Sequence, residues 1–437
     1  MNYIYILLIW YGFEAIITSQ YYFQLPSIFV NSARKVDELI IIVMLIKTLF
    51  IYNKKSFQIN KSIKNYAYLF LIIVTISGLI NLVSIPIIIE YCLRYGKWIV
   101  IVFYCHLMFR WTEFHYYKLW KYINIYFVIQ LLFNSLWYLD INFIPNARLN
   151  HPFDWALGTM GNSFNIALFS SVILSGHIYV VLNFRKKFLK KLNSYILITL
   201  SIIQIFWTNT NHLILIIPML LLLTLFLLPI IRLRYKIITS VLFILLFFNF
   251  STGLKVYDIL LTGFERVKYS PKAITYKHSF TTIPNIVPVS ILGAGPGEAG
   301  SYIGRENESY LTKKFFIKYD IPELRGGSIL TTPFTGFNSI QSELGFIGTV
   351  VIILLSASTI IALHRKNKFN ITFHPFTYNS LFTFITFFFF LLFLIENTLI
   401  DLLQHSFFPI LTWFFVSISL HKIGNNIYSI KNSFKLN

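Results

Sequence analysis

Residues 325–366 read RGGSILTTPFTGFNSIQSELGFIGTVVIILLSASTIIALHRK. An arginine and two glycines lead through polar and turn-forming residues. From about Asn338 the chain turns apolar, with Glu343 near the start of the run and Arg365 and Lys366 at its end. About 20 apolar residues suffice to cross a hydrocarbon core about 30 Å thick. Runs of this kind recur along the whole chain, so the stretch reads as one membrane helix among many, with an arginine on a glycine-rich connection above it and a carboxylate just inside.

Composition supports that reading. The 437 residues are 56% hydrophobic and 18% aromatic, 45 of them Phe, with 12% charged residues and a mean hydropathy of +0.66. A soluble domain usually carries about 25% charge. A β-barrel would show short alternating segments instead. The fold class expected is therefore an all-α polytopic membrane protein with about twelve transmembrane helices. The net charge of +20 reflects Lys and Arg that fix topology, and no nucleic-acid partner is implied. Cys92 and Cys105 sit in an apolar stretch and suggest neither a disulfide framework nor a zinc site. The N-terminal MNYIYILLIW lacks a basic leader and a small-residue cleavage site, so it reads as a retained first helix.

The spans expected are 3–22, 37–52, 66–84, 86–109, 120–140, 161–182, 195–209, 211–230, 237–253, 339–362, 376–396 and 402–420. Spans seven and eight meet in a tight turn at TNTN, residues 208–211. Alternate short connections and the C-terminus carry 21 Lys and Arg, against 3 on the other side: Arg34, Lys35 and Arg148. The positive-inside rule then places both termini in the cytoplasm. Asp37 and Glu38 soften the contrary pair Arg34–Lys35. One connection of about 85 residues, 254–338, faces outward as a large periplasmic loop. Loops that long are uncommon and usually functional. The chain thus divides into helices 1–9 with short loops (1–253), the large loop (254–338), and helices 10–12 with a cytoplasmic tail (339–437).

The large loop carries ten Lys and Arg, among them Arg266, Arg305 and Arg325. Arginine offers a planar fork of donors suited to phosphate and carboxylate; taken singly, each is as readily a solvated surface charge. GAGPGEAG (293–300) is glycine-rich but is no nucleotide-binding P-loop, because it lacks Gly-Lys-Ser/Thr. In the fourth span Glu90, Arg94 and Lys97 are spaced i, i+4, i+7 on one helical face. One carboxylate cannot neutralise two cations, which favours an anionic lipid phosphate to balance the second; the alternative is a Glu90–Arg94 pair with Lys97 reaching the interface. Arg148, Asn162 and Asn165 stand before or at the start of span six, the asparagines suited to sugar hydroxyls or to helix capping. Asp401 and His405 share a face of span twelve, more simply as a structural hydrogen bond than as an acid–base pair.

Three local patterns complete the picture. LGTMGNSFNIALF (157–169) shows a Gly-x-x-Gly-Asn-x-x-Asn element. GAGPG shows a Gly-x-Gly element in the big loop. Arg325 and Gly336 are separated by ten residues and are followed by Asn338 and a Glu-Leu-Gly-x-x-Gly helix start. In their order, and with the helix count and the single large loop, these resemble the O-antigen polymerase family within the wider superfamily of O-antigen polymerases and ligases. An earlier Arg-x10-Gly element is imperfect, since Thr159 stands where Gly would follow Arg148. Ligases of the superfamily carry His before the last Asn; here Phe337 precedes Asn338, which points to polymerase.

The resemblance implies a lipid-linked oligosaccharide glycosyltransferase of the bacterial inner membrane. It would transfer a growing polysaccharide from undecaprenyl pyrophosphate to a new lipid-linked repeat unit, with no cofactor and no metal, and with a chain-length regulator as a further partner. Arg325, Arg266 and Arg305 would stabilise the leaving pyrophosphate. Glu343, Glu298 and His278 are the candidates for a base. Arg94, Lys97, Arg148, Asn162, Asn165, Gly336 and Asn338 would hold substrate, and the glycine-rich segments would let the loop open. The alternatives are an O-antigen ligase and a polysaccharide flippase or other transporter. A cytoplasmic synthase would need a soluble nucleotide-sugar domain, and no cytoplasmic segment exceeds about 20 residues.

Overall fold

A computed structural model describes residues 3–18, 35–52, 60–108, 111–138, 163–183, 188–208, 210–228, 275–299, 335–373, 377–399 and 407–421, with 26, 28, 29, 33, 160, 301, 303 and 304 between them. Among these residues the regular structure is helical and no strand occurs. The helices are α1 (Tyr3–Thr18), α2 (Val36–Tyr52), α3 (Lys61–Ile80), α4 (Ile85–Tyr95), α5 (Lys97–Met108), α6 (Glu113–Tyr138), α7 (Ser163–Asn183), α8 (Phe188–Trp207), α9 (Asn211–Leu227), α10 (Gly336–Phe373), α11 (Tyr378–Leu399) and α12 (Phe407–Leu420).

Helix α3 shows why these sequences fold as they do. Asn60 caps its start, the side-chain carbonyl accepting from Ser62 N at 3.0 Å. Ile63, Ala67, Phe70, Ile73, Val74, Ser77 and Gly78 form a buried stripe at helical spacing. The opposite face is not polar: Leu69, Ile72, Ile76 and Leu79 are all exposed. A helix apolar all round belongs in a core or a membrane. Leu39, Ile46, Leu49 and Phe50 on α2 are exposed as well, more large apolar side chains than the surface of a water-soluble monomer usually presents. Four helical stretches are long and apolar enough to cross a membrane: Lys61–Ile80, Ser163–Asn183, Gly336–Asn370 and Tyr378–Thr398.

Inside lies an aromatic-rich core. Every residue of α12 from Phe407 to Ser419 is buried, and α12 packs on α5 and α11. Trp98 of α5 stacks on Trp413 at 4.6 Å between centroids, the kind of pair that contributes about 1 kcal/mol beyond its buried area. Phe389 and Phe393 of α11 meet Phe408. Polar ties lock the register, as where the Thr386 and Ser419 hydroxyls sit 2.6 Å apart. The start of α1 and the end of α12 lie at one end of the bundle. There Lys47 sits over the Tyr3 ring, His106 lies against His421, and Lys366 donates to the Ser419 and His421 carbonyls at the end of α12.

Several elements depart from the sequence expectation: α3, α6 and α8 begin five to seven residues before the spans expected at 66–84, 120–140 and 195–209, and two spans differ in kind. The span expected at 86–109 is two helices, α4 and α5, divided at Gly96, whose N–H closes α4 on the Cys92 carbonyl at 2.9 Å. The span expected at 339–362 is longer and bent. It runs Gly336–Phe373 and kinks at Gly345, where φ is 64° and ψ is −161°. The span expected at 237–253 lies outside the described residues.

Candidate functional site

The candidate site is the end of the bundle where the described part of the long connection meets α3, α4 and α10. Residues 278–282 form a π turn, Ile283–Ile286 a last α turn and Ser290–Leu292 a 3-10 turn. The chain then crosses the kink of α10 backbone against backbone. Ala294 N donates to the Ser342 carbonyl at 2.8 Å and Gly295 N to the Glu343 carbonyl at 2.9 Å. Ser77 Oγ, at the end of α3, lies 2.8 Å from the Leu292 carbonyl and 3.2 Å from that of Glu343. Asn81 Nδ2 donates to Gly293 O at 3.2 Å.

Glycine is required at the crossing. Gly293 (φ 71°) and Gly345 (φ 64°) both adopt the left-handed half of backbone space, which side chains resist. A Cβ on Gly293 would overlap Gly345 N and the Glu343 carbonyl; one on Gly345 would overlap the Ile291 carbonyl and Gly293 N. Residues 293–297 are buried. The GAGPG segment is therefore fastened to two helices, and the opening expected of it does not fit this geometry.

Glu343 completes the clasp. It is fully buried, and its Oε1 accepts from Ala299 N and Ser301 N, both at 3.2 Å. Ser301 Oγ in turn accepts from Gly304 N at 3.1 Å. A carboxylate so enclosed holds the loop in place. Of the other two candidate bases, Glu298 is half-buried in the turn after Gly297. His278 is in the π turn with Nδ1 2.8 Å from Thr282 Oγ1, and burial together with neighbouring Lys277 lowers its pKa below the usual 6.5.

Polar side chains surround the first turn of α10. Asn338 Nδ2 donates to Thr275 Oγ1 at 2.9 Å and Ser342 Oγ to Ser279 Oγ at 2.8 Å. Tyr276 OH donates to the Thr398 carbonyl at 2.7 Å and lies 3.1 Å from Thr335 Oγ1. Gly336 faces Asn397 of α11, whose amide a Cβ there would overlap. Sequence reasoning singled out Asn338 and Gly336 but missed Asn397 and Ser77; an Asn or Ser at a helix end carries no signal until its neighbours are known.

Arg94 and Lys97 take part in separate ion pairs. Arg94 pairs with Glu90 at 2.9 Å, as the i, i+4 spacing allows. Lys97 begins α5 and pairs with Asp37 of α2 at 2.8 Å, where Tyr11 OH also donates at 2.7 Å. Each cation thus has its own carboxylate, and the unbalanced charge read from the sequence does not exist. Glu38 binds Lys35 at 3.3 Å. The α4 helix still touches the loop, Ile87 lying beside Gly297. Asn165 opens α7, with Oδ1 buried and unpartnered. Arg148, Arg266, Arg305, Arg325 and Asn162 lie outside the described residues, as do Asp401 and His405.

These features define a helical protein with segments able to cross a membrane, in which the described part of the long connection is fastened to α3 and α10. No protein-family model matches the chain, and no curated protein is detectably similar to it.

Proposed function

We propose that the chain is an O-antigen polymerase of the bacterial inner membrane. In this reading both termini are cytoplasmic, about twelve helices span the bilayer, and the long loop is periplasmic. The growing polysaccharide moves from undecaprenyl pyrophosphate to the non-reducing end of a new lipid-linked unit. The bond between sugar C1 and the pyrophosphate oxygen breaks, a bond from C1 to the acceptor oxygen forms, and the acceptor proton leaves with undecaprenyl pyrophosphate or a base. Arg325, with Arg266, Arg305 and Arg148, stabilises the charge growing on the leaving group. Holding two long substrates in line supplies much of the remaining rate.

One observation carries the reading. The Gly-x-Gly element of the loop and the Glu-Leu-Gly start of α10, about 50 positions apart, interlock at Gly293, Glu343 and Gly345. Two of the patterns on which the family resemblance rests are therefore parts of one construction. It also fixes where the chain carrying Arg325 must rejoin the bundle, at Gly336.

The test is deletion of the gene followed by electrophoresis of the lipopolysaccharide. A polymerase defect leaves core bearing a single repeat unit. Core alone would mean ligase or flippase and would reject the proposal.

A further inference from the structure

Helices α10 and α11 are tied to each other at two levels. Near Arg365 and Lys366, Asn367 Nδ2 donates to the Thr383 carbonyl at 3.0 Å and Asn370 Nδ2 lies 3.3 Å from Thr383 Oγ1. At the other level Gly336 lies against the Asn397 amide. Between the two ties α11 rises about 21 Å, from Thr383 to Asn397, whereas a straight α10 would rise about 46 Å, from Asn367 to Gly336. The lengths agree only if the chain reverses at Gly345, running about 33 Å between Asn367 and Gly345 and about 13 Å back between Gly345 and Gly336. Three local features fit a reversal. Gln341 Oε1 accepts from Thr349 Oγ1 at 2.7 Å, although positions so spaced on a straight helix stand about 12 Å apart along its axis. The Ser342 and Glu343 carbonyls accept from Ala294 N and Gly295 N, as the open end of a finished helix requires, and Gly345 takes the left-handed conformation usual just past such an end. Every residue from Gly336 to Gly345 except Phe337 is buried, while Phe346, Ile347, Ile353 and Leu354 of the following half are exposed.

We infer that Gly336–Leu344 is a re-entrant half-helix, folded back beside the spanning half of α10. About 20 residues cross the hydrocarbon core, so a span that starts at Arg365 ends near Gly345. Gly336 then lies about 10 Å beneath that boundary. Non-helical backbone is tolerated at such depth only where protein surrounds it or it lines a cavity, and Thr335 and Gly336 are both buried. Thr275, Tyr276 and Ser279 are bonded to Asn338, Thr335 and Ser342, so the stretch 275–279 descends with the half-helix. The half-helix is a positioning element, since it carries the end of the long connection down into the bundle. In the polymerase reading, on which this consequence rests, Gly336 and Asn338 would hold the lipid-linked unit below the membrane surface, and the sugars would be joined within the bundle and not above it.

The test uses the full-length protein in lipid nanodiscs, with Cys92 and Cys105 replaced by Ala and single spin labels carried by Phe337→Cys, Phe346→Cys or Ile353→Cys. Depth is read from collisions with oxygen, which concentrates in lipid, against those with a water-soluble nickel chelate. The label at 346 should be the most accessible to nickel, and the labels at 337 and 353 should both read as deeper. A single outward-running helix predicts a steady descent from 337 through 346 to 353, and that order would overturn the inference. A double label at 337 and 353 covers the case in which protein shields 337 from both reagents. Folded back, the two positions lie within about 12 Å and the spectrum broadens; along one helix they stand about 24 Å apart, and a spectrum without broadening would overturn the inference as well. If the depths hold while the deletion strain shows no polymerisation defect, only the polymerase reading falls.

Discussion

Glu343 is the most constrained side chain of the site. Glu343→Gln keeps a carbonyl oxygen for Ala299 N and Ser301 N, so it should keep most of the stability. Glu343→Ala orphans two buried amides and should cost about 2–4 kcal/mol, read as a lower melting midpoint in detergent. Gly345→Ala meets both a left-handed backbone and the Ile291 carbonyl, so a loss of at least about 1–3 kcal/mol is expected. Asn134 and Gln204 behave in the opposite way. Both are fully buried and their amides have no partners, so Asn134→Leu or Gln204→Met should leave the midpoint unchanged or raise it. His278 gives the loop a pH response. Its pKa is lowered in the folded protein by burial and Lys277, so the unfolded chain binds the proton more readily, and stability falls as pH drops through about 6.5. His278→Asn should flatten that part of the melting-midpoint profile. Arg325 tests the chemistry. Arg325→Ala should abolish long chains and Arg325→Lys, which keeps charge but not the fork, should restore them partly at best; full restoration by both would remove Arg325 from the mechanism.

Among the helices, the tie of Lys97, Asp37 and Tyr11 joins α5, α2 and α1. Removing one partner of a buried pair typically costs about 3–5 kcal/mol, whereas replacing both with apolar groups is often neutral. Asp37→Asn should therefore lower the melting midpoint clearly, and Asp37→Leu with Lys97→Met should recover much of it. The recovered double variant also separates two roles: if Lys97 holds substrate it stays inactive, and if Lys97 is structural it polymerises. This tie shows where sequence reasoning reached its limit. Helix positions followed from runs of apolar residues and agree within a few residues for α2, α7, α9 and α11. The Glu90–Arg94 pair followed from i, i+4 spacing. The partner of Lys97 did not, because Asp37 is 60 positions away and no periodicity links them. The break at Gly96 was equally hidden, since apolar chain continues on both sides of it.

For the chain taken together, the charge pattern predicts which side each end occupies. A cysteine at Lys313 in the large loop, in a background with Cys92 and Cys105 replaced by Ala, should react with a membrane-impermeant maleimide in intact spheroplasts. One at Lys186 should react only after lysis. Labelling in the reverse order would invert the proposed topology and remove the site from the side where lipid-linked units are joined. The sequence made the glycine-rich elements visible as motifs but not their meeting. That required Ser77, Leu292 and Glu343, which are 215 and 266 positions apart from the first to the others.

The same junction sets an order of biogenesis. Ser77 is made early, yet its acceptors are translated more than two hundred residues later. Until the ribosome has passed residue 345, Ser77 cannot complete its contacts with the Leu292 and Glu343 carbonyls, and contacts so distant in sequence form slowly. Nascent chains halted before that point should stay open to quality-control proteases, and those reaching α10 should become resistant in a single step.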